Sequence, residues 1–190
     1  MNIREMFATM SPEEIRSYCI ERELQEWRET NRFCGKCGAA MEPHVNPTER
    51  AFVCPACGYA SYPKISPAVI VLVTKGDRIL LQRNRHYQLK NWTHVAGFVD
   101  VGETFEEAVR REIREEASIE VKDIRYFGSQ PWPFPSTMMV AFRAEYASGE
   151  LKPDGEEISE SGWFGRDELP LLPIRGSIAA EMVEAWLNGQ

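Results

Sequence analysis

Two short cysteine turns constrain this chain first. Cys34-Gly-Lys-Cys37 and Cys54-Pro-Ala-Cys57 stand sixteen residues apart, and Gly38 and Gly58 follow them. Each Cys-x-x-Cys turn brings two thiolates to about 4 Å of one another, and the glycine after it tolerates the tight backbone. The spacing matches a four-cysteine zinc pattern. Four thiolates fill a tetrahedral Zn²⁺ shell with no open position, so the expected site is structural, not catalytic. An S4 set also admits iron. His44 lies between the pairs and reads as a surface residue, because four cysteines suffice. The fifth cysteine, Cys19, reads as a small buried apolar residue. An odd count at this spacing indicates metal binding in a reducing compartment and not disulfides, with the cytoplasm as the expected location.

A second constraint is Gly97–Ile119, GFVDVGETFEEAVRREIREEASI. Glu112, Glu115 and Glu116 recur at i, i+3 and i+4, so a helix sets them side by side. Like charges that close destabilise a helix by a few tenths of a kcal/mol per pair, which suggests that a cation holds them together. Hard oxygen ligands suit Mg²⁺ or Mn²⁺ and suit Zn²⁺ poorly. Mg²⁺ sits on one or two carboxylates and completes its shell with water and phosphate oxygens, which points to phosphate chemistry. The plainer reading is the solvated face of a charge-rich amphipathic helix.

The remaining pattern predicts an α/β chain. Ser11-Pro12-Glu13-Glu14 is a helix start with a capping box, and apolar residues recur to about Thr30. Ala68–Val73 is a continuous apolar run, expected as a strand buried on both faces. Lys75-Gly76-Asp77 turns it into a hairpin with Arg78–Gln82. A helix is expected over Thr104–Ala117, strands at Ile124–Gly128, Met138–Glu145 and Ile158–Phe164, and a last helix over Ile178–Leu187. Asn84–Asn91, flanked by Arg83 and carrying Arg85, His86 and Lys90, reads as a solvated loop or as one that steers phosphate. The expected organisation is an N-terminal helical segment over 1–31, a ribbon over 32–63 and a larger domain over 64–190. A net charge of −7 argues against a broad nucleic-acid footprint but not against a small anion held through metal ions. No apolar run approaches the roughly 20 residues of a membrane span.

The acidic stretch resembles the Nudix box, G-x5-E-x7-R-E-U-x-E-E-x-G-U with U bulky and apolar. Gly97, Glu103, Arg111, Glu112, Ile113, Glu115, Glu116 and Ile119 match; Ser118 stands where the family has its late glycine. That glycine follows the helix, where positive φ is common, so Ser118 is expected to carry about 1 kcal/mol of local strain and to lose no ligand. The resemblance implies an α/β/α sandwich with a mixed sheet. It also implies Mg²⁺ or Mn²⁺ held by Glu112, Glu115, Glu116 and the Ala96 carbonyl, with Glu115 or Glu116 as the base. Glu103 and Arg111 lie too far apart to meet within one helical turn; a loop folding back, as in the family, pairs them as a structural ion pair beside Gly97.

Ser129-Gln-Pro-Trp-Pro-Phe-Pro-Ser-Thr137 holds three prolines and two aromatic residues, and reads as a stiff extended loop that cannot be a central strand. Its chemistry suits either a wall for a flat ring or a plug of the core. The stretch resembles the SQPWPFP-x-S signature of the NADH pyrophosphatase branch of Nudix hydrolases, similar to the bacterial NAD-capped RNA hydrolases. That branch also carries a four-cysteine zinc ribbon ahead of its Nudix domain. The resemblance implies substrate contacts from Gln130, Pro131, Trp132, Pro133, Phe134, Pro135, Ser136 and Thr137. It implies further contacts from Phe98 stacking on nicotinamide, from Glu49 and Tyr62, and from the backbone of Ala179, and makes Glu157 a further metal carboxylate. The implied activity is hydrolysis of NAD(H) or a related dinucleotide, with NAD-capped RNA a further substrate, by a homodimer. The rivals are a Nudix hydrolase of another nucleoside diphosphate, such as ADP-ribose, and a non-catalytic binding module. Members of the branch usually carry a further domain ahead of the ribbon, and 33 residues precede Cys34 here. Contacts from such a domain are therefore expected to be missing, which weakens the RNA-cap reading more than the dinucleotide reading.

Overall fold

The computed structural model describes residue 6 and residues 9–86, 91–134 and 136–189. It divides into two compact units. One comprises Met10–Ile65 with Pro131–Thr137, and the other Met1–Thr9, Ser66–Gln130 and Met138–Gln190. Seven residues of the aromatic-proline stretch group with the ribbon.

In the ribbon unit, Ser11 starts α1 (Pro12–Thr30) with the expected capping box: its hydroxyl accepts from the Glu14 amide and its amide donates to the Glu14 carboxylate. Strands β1 (Glu42–Pro43), β2 (Phe52–Val53) and β3 (Ala60–Ser61) form an antiparallel sheet in that order. Trp27, buried near the end of α1, stacks on Phe52 with ring centroids 4.8 Å apart. Asn31 closes the helix through the Trp27 carbonyl and accepts from the Ser61 hydroxyl at 2.9 Å, which ties α1 to β3. Cys19 is buried, as expected of a small apolar side chain.

The larger unit contains β4 (Ser66–Lys75), β5 (Arg78–Asn84), β6 (Val95–Phe98), α2 (Phe105–Ala117), β7 (Ile119–Pro133), β8 (Ser136–Gly149), β9 (Ile158–Phe164) and α3 (Ile178–Leu187). The strands form a six-stranded mixed sheet ordered β7-β8-β4-β5-β9, with β6 paired to β4. Strand β4 explains its own sequence. Val69, Val71 and Val73 pack with Ala108, Val109, Ile113 and Ala117 of α2, while Ile70 and Leu72 pack with Ile178, Ala179, Met182 and Val183 of α3. Successive side chains leave a strand on opposite faces, so an unbroken apolar run serves two helical layers. The result is an α/β/α sandwich.

Next to their turn, β4 and β5 pair at Thr74 with Ile79 and Lys75 with Arg78. Farther on, β6 takes the edge of β4, Ala68–Val71, and Gln82 of β5 bridges Thr93 just ahead of β6. The short strand thus wedges between the two arms of the hairpin and brings Ala96-Gly97 under α2.

Two expectations change. The aromatic-proline stretch is not a loop: β7 runs through Pro133 and β8 begins at Ser136, so it is the tip of a long hairpin. Strand β7 is an edge strand of the sheet, a position where proline is tolerated. Asn84 is not a loop residue but the buried last residue of β5, with Arg85 donating its amide to the Glu157 carbonyl. Lys90 of the expected polar loop, with the rest of residues 87–90, lies outside the described residues.

Candidate metal and catalytic site

Helix α2 begins with a second capping box, Thr104 with Glu107, and sends Ala108, Val109, Ile113 and Ala117 into the core. The same buried side carries two acids. Glu112 is 8% exposed and Glu116 is 6% exposed. A buried carboxylate is costly unless something holds it, so their partners define the site. Burial pushes Glu116 up to about 8; Gln82 opposes this, and the charges of Glu112 and Glu157 reinforce it. Burial also raises Glu112, against the pull of Arg111 and with the push of Glu115 and Glu157. Glu112, Glu116 and Glu157 thus repel one another, and a divalent cation's charge would relieve that repulsion. The oxygen-only donor set fits Mg²⁺ or Mn²⁺ better than Zn²⁺. The acids do not close into a tight cage: among the described residues, the four cysteines are the one group of three or more ligand residues whose donor atoms all lie within 4.8 Å.

Arg111 holds the front of the helix to the preceding loop. Its Nε and Nη2 grip both oxygens of Glu103 at 2.7 and 2.8 Å, and Nη2 also donates to the Phe98 carbonyl at 2.9 Å. Its Nη1 donates to Glu112 at 2.7 Å and to Glu115 at 3.1 Å. Five donors on five acceptors exhaust the guanidinium. Glu103 is held well down, to about 2, chiefly by Arg111 and then by the Asp100 amide. Glu115 is otherwise exposed. Gly97 lies directly beneath Glu112, whose carboxylate fills the space a Cβ would need. After the helix, Ser118 is the C-cap with φ 58°, the left-handed conformation in which the family carries glycine.

Glu157 stands exposed just before β9, with one oxygen accepting from the Asn84 amide at 2.8 Å. Opposite the helix, Gln82 is 1% exposed and its Nε2 donates to Glu116. Sequence reasoning misses both amides. The available signal is a polar residue at alternate positions, 82 and 84, on the face of β5 that Leu80 directs into the α2 core.

Other expected residues fall in several places. Ala96 lies in β6 opposite Ile70, and Phe98, at the strand's end, is half exposed. Gln130 fixes the start of α3, because its amide donates to the Gly176 carbonyl at 2.9 Å and accepts from the Ile178 amide at 2.8 Å. The Ala179 backbone also has a partner within the chain, since its carbonyl meets Nε2 of the buried His94 at 3.1 Å. In the ribbon unit, Glu49 and Tyr62 are exposed, Pro131 is exposed, Pro133 and Thr137 are buried, and Ser136 is partly buried. Trp132 and Phe134 meet edge to face at 6.2 Å. Arg22 of α1 lies 5.0 Å over the Phe134 ring and donates to the Pro133 carbonyl at 3.3 Å. Pro135 lies outside the described residues.

The four cysteine sulfurs converge, with Cys34 and Cys57 3.7 Å apart and Cys37 and Cys54 3.5 Å apart. A tetrahedron with Zn–S bonds of about 2.3 Å has edges of about 3.8 Å, so the group fits zinc. His44 stands apart, its Nδ1 accepting from the Asn46 amide.

Comparison with known proteins agrees with this division of labour. Residues 64–186 match the NUDIX domain, and residues 29–62 match the NADH pyrophosphatase zinc ribbon domain. A protein named NAD-capped RNA hydrolase NudC from Stutzerimonas stutzeri (strain A1501) is 42% identical over 97% of this chain and 66% of its own length. Proteins of the same name from Pseudomonas aeruginosa (strain LESB58) and Yersinia enterocolitica are 46% and 47% identical over 85% of this chain, and 57% and 61% of theirs. The chain thus spans about three fifths of the length of these curated relatives. A NUDIX hydrolase from Nitrosomonas europaea shares the fold, with a TM-score of 0.71 at 24% identity over 84% of this chain and 92% of its own.

Proposed function

Since this chain belongs to the NUDIX family and carries the NADH pyrophosphatase zinc ribbon ahead of the NUDIX domain, we propose that it hydrolyses the pyrophosphate of NAD(H). The products are nicotinamide mononucleotide and AMP, and NAD caps on RNA 5′ ends are a further substrate of the same kind. The observation that carries the reading is the burial of Glu112 and Glu116 against the charge of Glu157, in a chain whose ribbon is the one named for that activity.

Glu112, Glu115, Glu116 and Glu157, with the Ala96 carbonyl, are the ligands assigned to Mg²⁺ or Mn²⁺. A divalent cation supplies neutralising charge to the diphosphate and acidifies an attacking water. Glu116, enclosed and pushed up by burial, is the favoured base, with Glu115 the alternative. Arg111 orients Glu112 and Glu115 and ties them to the end of β6 and the loop after it. No covalent intermediate is needed, because positioning and charge stabilisation supply most of the acceleration. Phe98 is assigned to the nicotinamide, and Tyr62, Trp132 and Phe134 to further ring contacts, each stacked base contributing about 1–3 kcal/mol. Zn²⁺ in the ribbon is structural. A cytoplasmic homodimer is the expected form.

The test is a side-by-side assay of NADH, NAD, ADP-ribose and NAD-capped RNA with Mg²⁺ and with Mn²⁺. Release of nicotinamide mononucleotide from NAD(H), at higher kcat/KM than ADP-ribose cleavage, is expected. A clear preference for ADP-ribose overturns the substrate assignment.

A further inference from the structure

Two amides on β5 are spent on carboxylates that come from two separate elements. Gln82 Nε2 donates to Glu116 of α2, and two residues along, Asn84 Nδ2 donates at 2.8 Å to Glu157 ahead of β9. The two residues stand two apart on β5, whose pairing with β9 shifts register between Arg83 and Asn84, so one strand carries both donors. Both residues are buried, at 1% and 9% exposure.

Gln82 is a poor choice for stability alone, whereas Asn84 uses both ends of its amide, its Oδ1 accepting from the His86 amide at 2.8 Å. With Nε2 turned toward Glu116, Gln82 Oε1 is buried and has no hydrogen-bond partner. In that orientation the amide donates to a Glu116 oxygen and leaves its own acceptor unused. Leu80, two residues before Gln82, is buried in the apolar core beneath α2, and an aliphatic side chain at position 82 would leave no orphaned acceptor. A chain that retains a local misfit of this kind commonly does so for a site. The paired amides have a further property: they donate to carboxylates without adding positive charge, so they fix the oxygens without competing for them as Arg or Lys would.

We propose that Gln82 and Asn84 are positioning residues for the metal site, a two-residue amide clamp that sets the separation of Glu116 and Glu157. The inference rests on the reading of those glutamates as metal ligands. Partners that orient metal-binding side chains typically change affinity by about 10–100-fold when removed.

The test uses the zinc-loaded full chain and Mn²⁺ alone, with bound and free ion separated by electron paramagnetic resonance, so that no turnover is needed. Q82M keeps the volume and removes the amide; N84A releases Glu157. Each variant is expected to weaken Mn²⁺ binding about tenfold or more, with Q82M melting at or above the wild-type temperature. With dinucleotide substrate, kcat is expected to fall while KM stays within about twofold, a split that loose packing does not produce. If wild type binds no Mn²⁺, the metal-site reading and the clamp fall together. If wild type binds and both variants match it, the clamp alone is wrong. A Q82M chain that is destabilised or unfolded also overturns it, because the amide would then be holding the sheet and not the site.

Discussion

Gly97 and Glu112 occupy one another's space: the carboxylate of Glu112 sits where a side chain on Gly97 would begin. The glycine is therefore required for room, and the room belongs to an acid from the helix above. In Gly97→Ala, the new methyl is expected to displace the carboxylate and lower turnover about a hundredfold, the usual penalty for a misplacement near 1 Å. Circular dichroism should show the sandwich intact. Wild-type turnover in the folded variant would remove the spatial argument.

Glu116→Gln is expected to separate chemistry from folding. Turnover should fall at least about a hundredfold. Because burial holds the Glu116 carboxyl far above its ordinary range, the neutral amide should leave the melting temperature equal or higher. Unchanged hydrolysis would leave Glu116 without its assigned role.

The Glu103–Arg111 pair gives stability a signature in acid. Glu103 titrates near 4.5 in the unfolded chain and near 2 in the fold. Between those values the unfolded state binds the extra proton, so the pair's contribution is complete above about pH 4.5 and disappears as pH falls toward 2. Urea midpoints of wild type and Glu103→Gln should differ at pH 6 and converge as pH falls below 4.5. A gap that stays constant across that range would place the pair's value elsewhere.

Ser118→Gly is expected to stabilise the protein. Relief of the left-handed strain is partly offset by the greater freedom of glycine in the unfolded chain, leaving a gain of about 0.5–1 kcal/mol and a melting shift of about 2–3 °C. Differential scanning calorimetry measures it directly. A loss of stability would mean that the serine side chain makes a contact worth more than the backbone strain.

Purified protein should contain one zinc per chain by elemental analysis, and chelation should melt the ribbon, since binding energy at a structural site is folding energy. The loss would be visible in near-ultraviolet circular dichroism through Trp27, stacked on Phe52 of the ribbon sheet. Metal-free protein with an unchanged spectrum would show that the sulfurs need no ion.

What the sequence makes legible is what obeys local rules. The Ser11 and Thr104 caps and the two-faced run at Ala68–Val73 each follow from a few adjacent residues, while the left-handed turn at Ser118 is foreseen through the family's glycine at that place. The return of Arg111 onto Glu103, eight residues away, needs a known pattern to be foreseen. Gln82 and Asn84 escape notice because their partners lie 34 and 73 residues distant. The polar residues at alternate positions 82 and 84 are the only local sign, and they do not say which acids they meet. The same holds for Gln130, whose place in a recognised signature suggests a ligand contact, while both ends of its amide fasten α3.

The interleaving of the two units bears on inheritance. The chain passes between them four times, at residues 9–10, 65–66, 130–131 and 137–138, so no single cut yields two self-contained pieces. A fragment beginning at Ser66 would retain Phe134 but lose the Arg22 that covers its ring. Gene fusion or shuffling that exchanged the leading segment would hand the hairpin tip to a stranger. Ribbon and hydrolase are thus expected to travel through descent as one block, and substitutions at Arg22 to be matched by changes at Phe134.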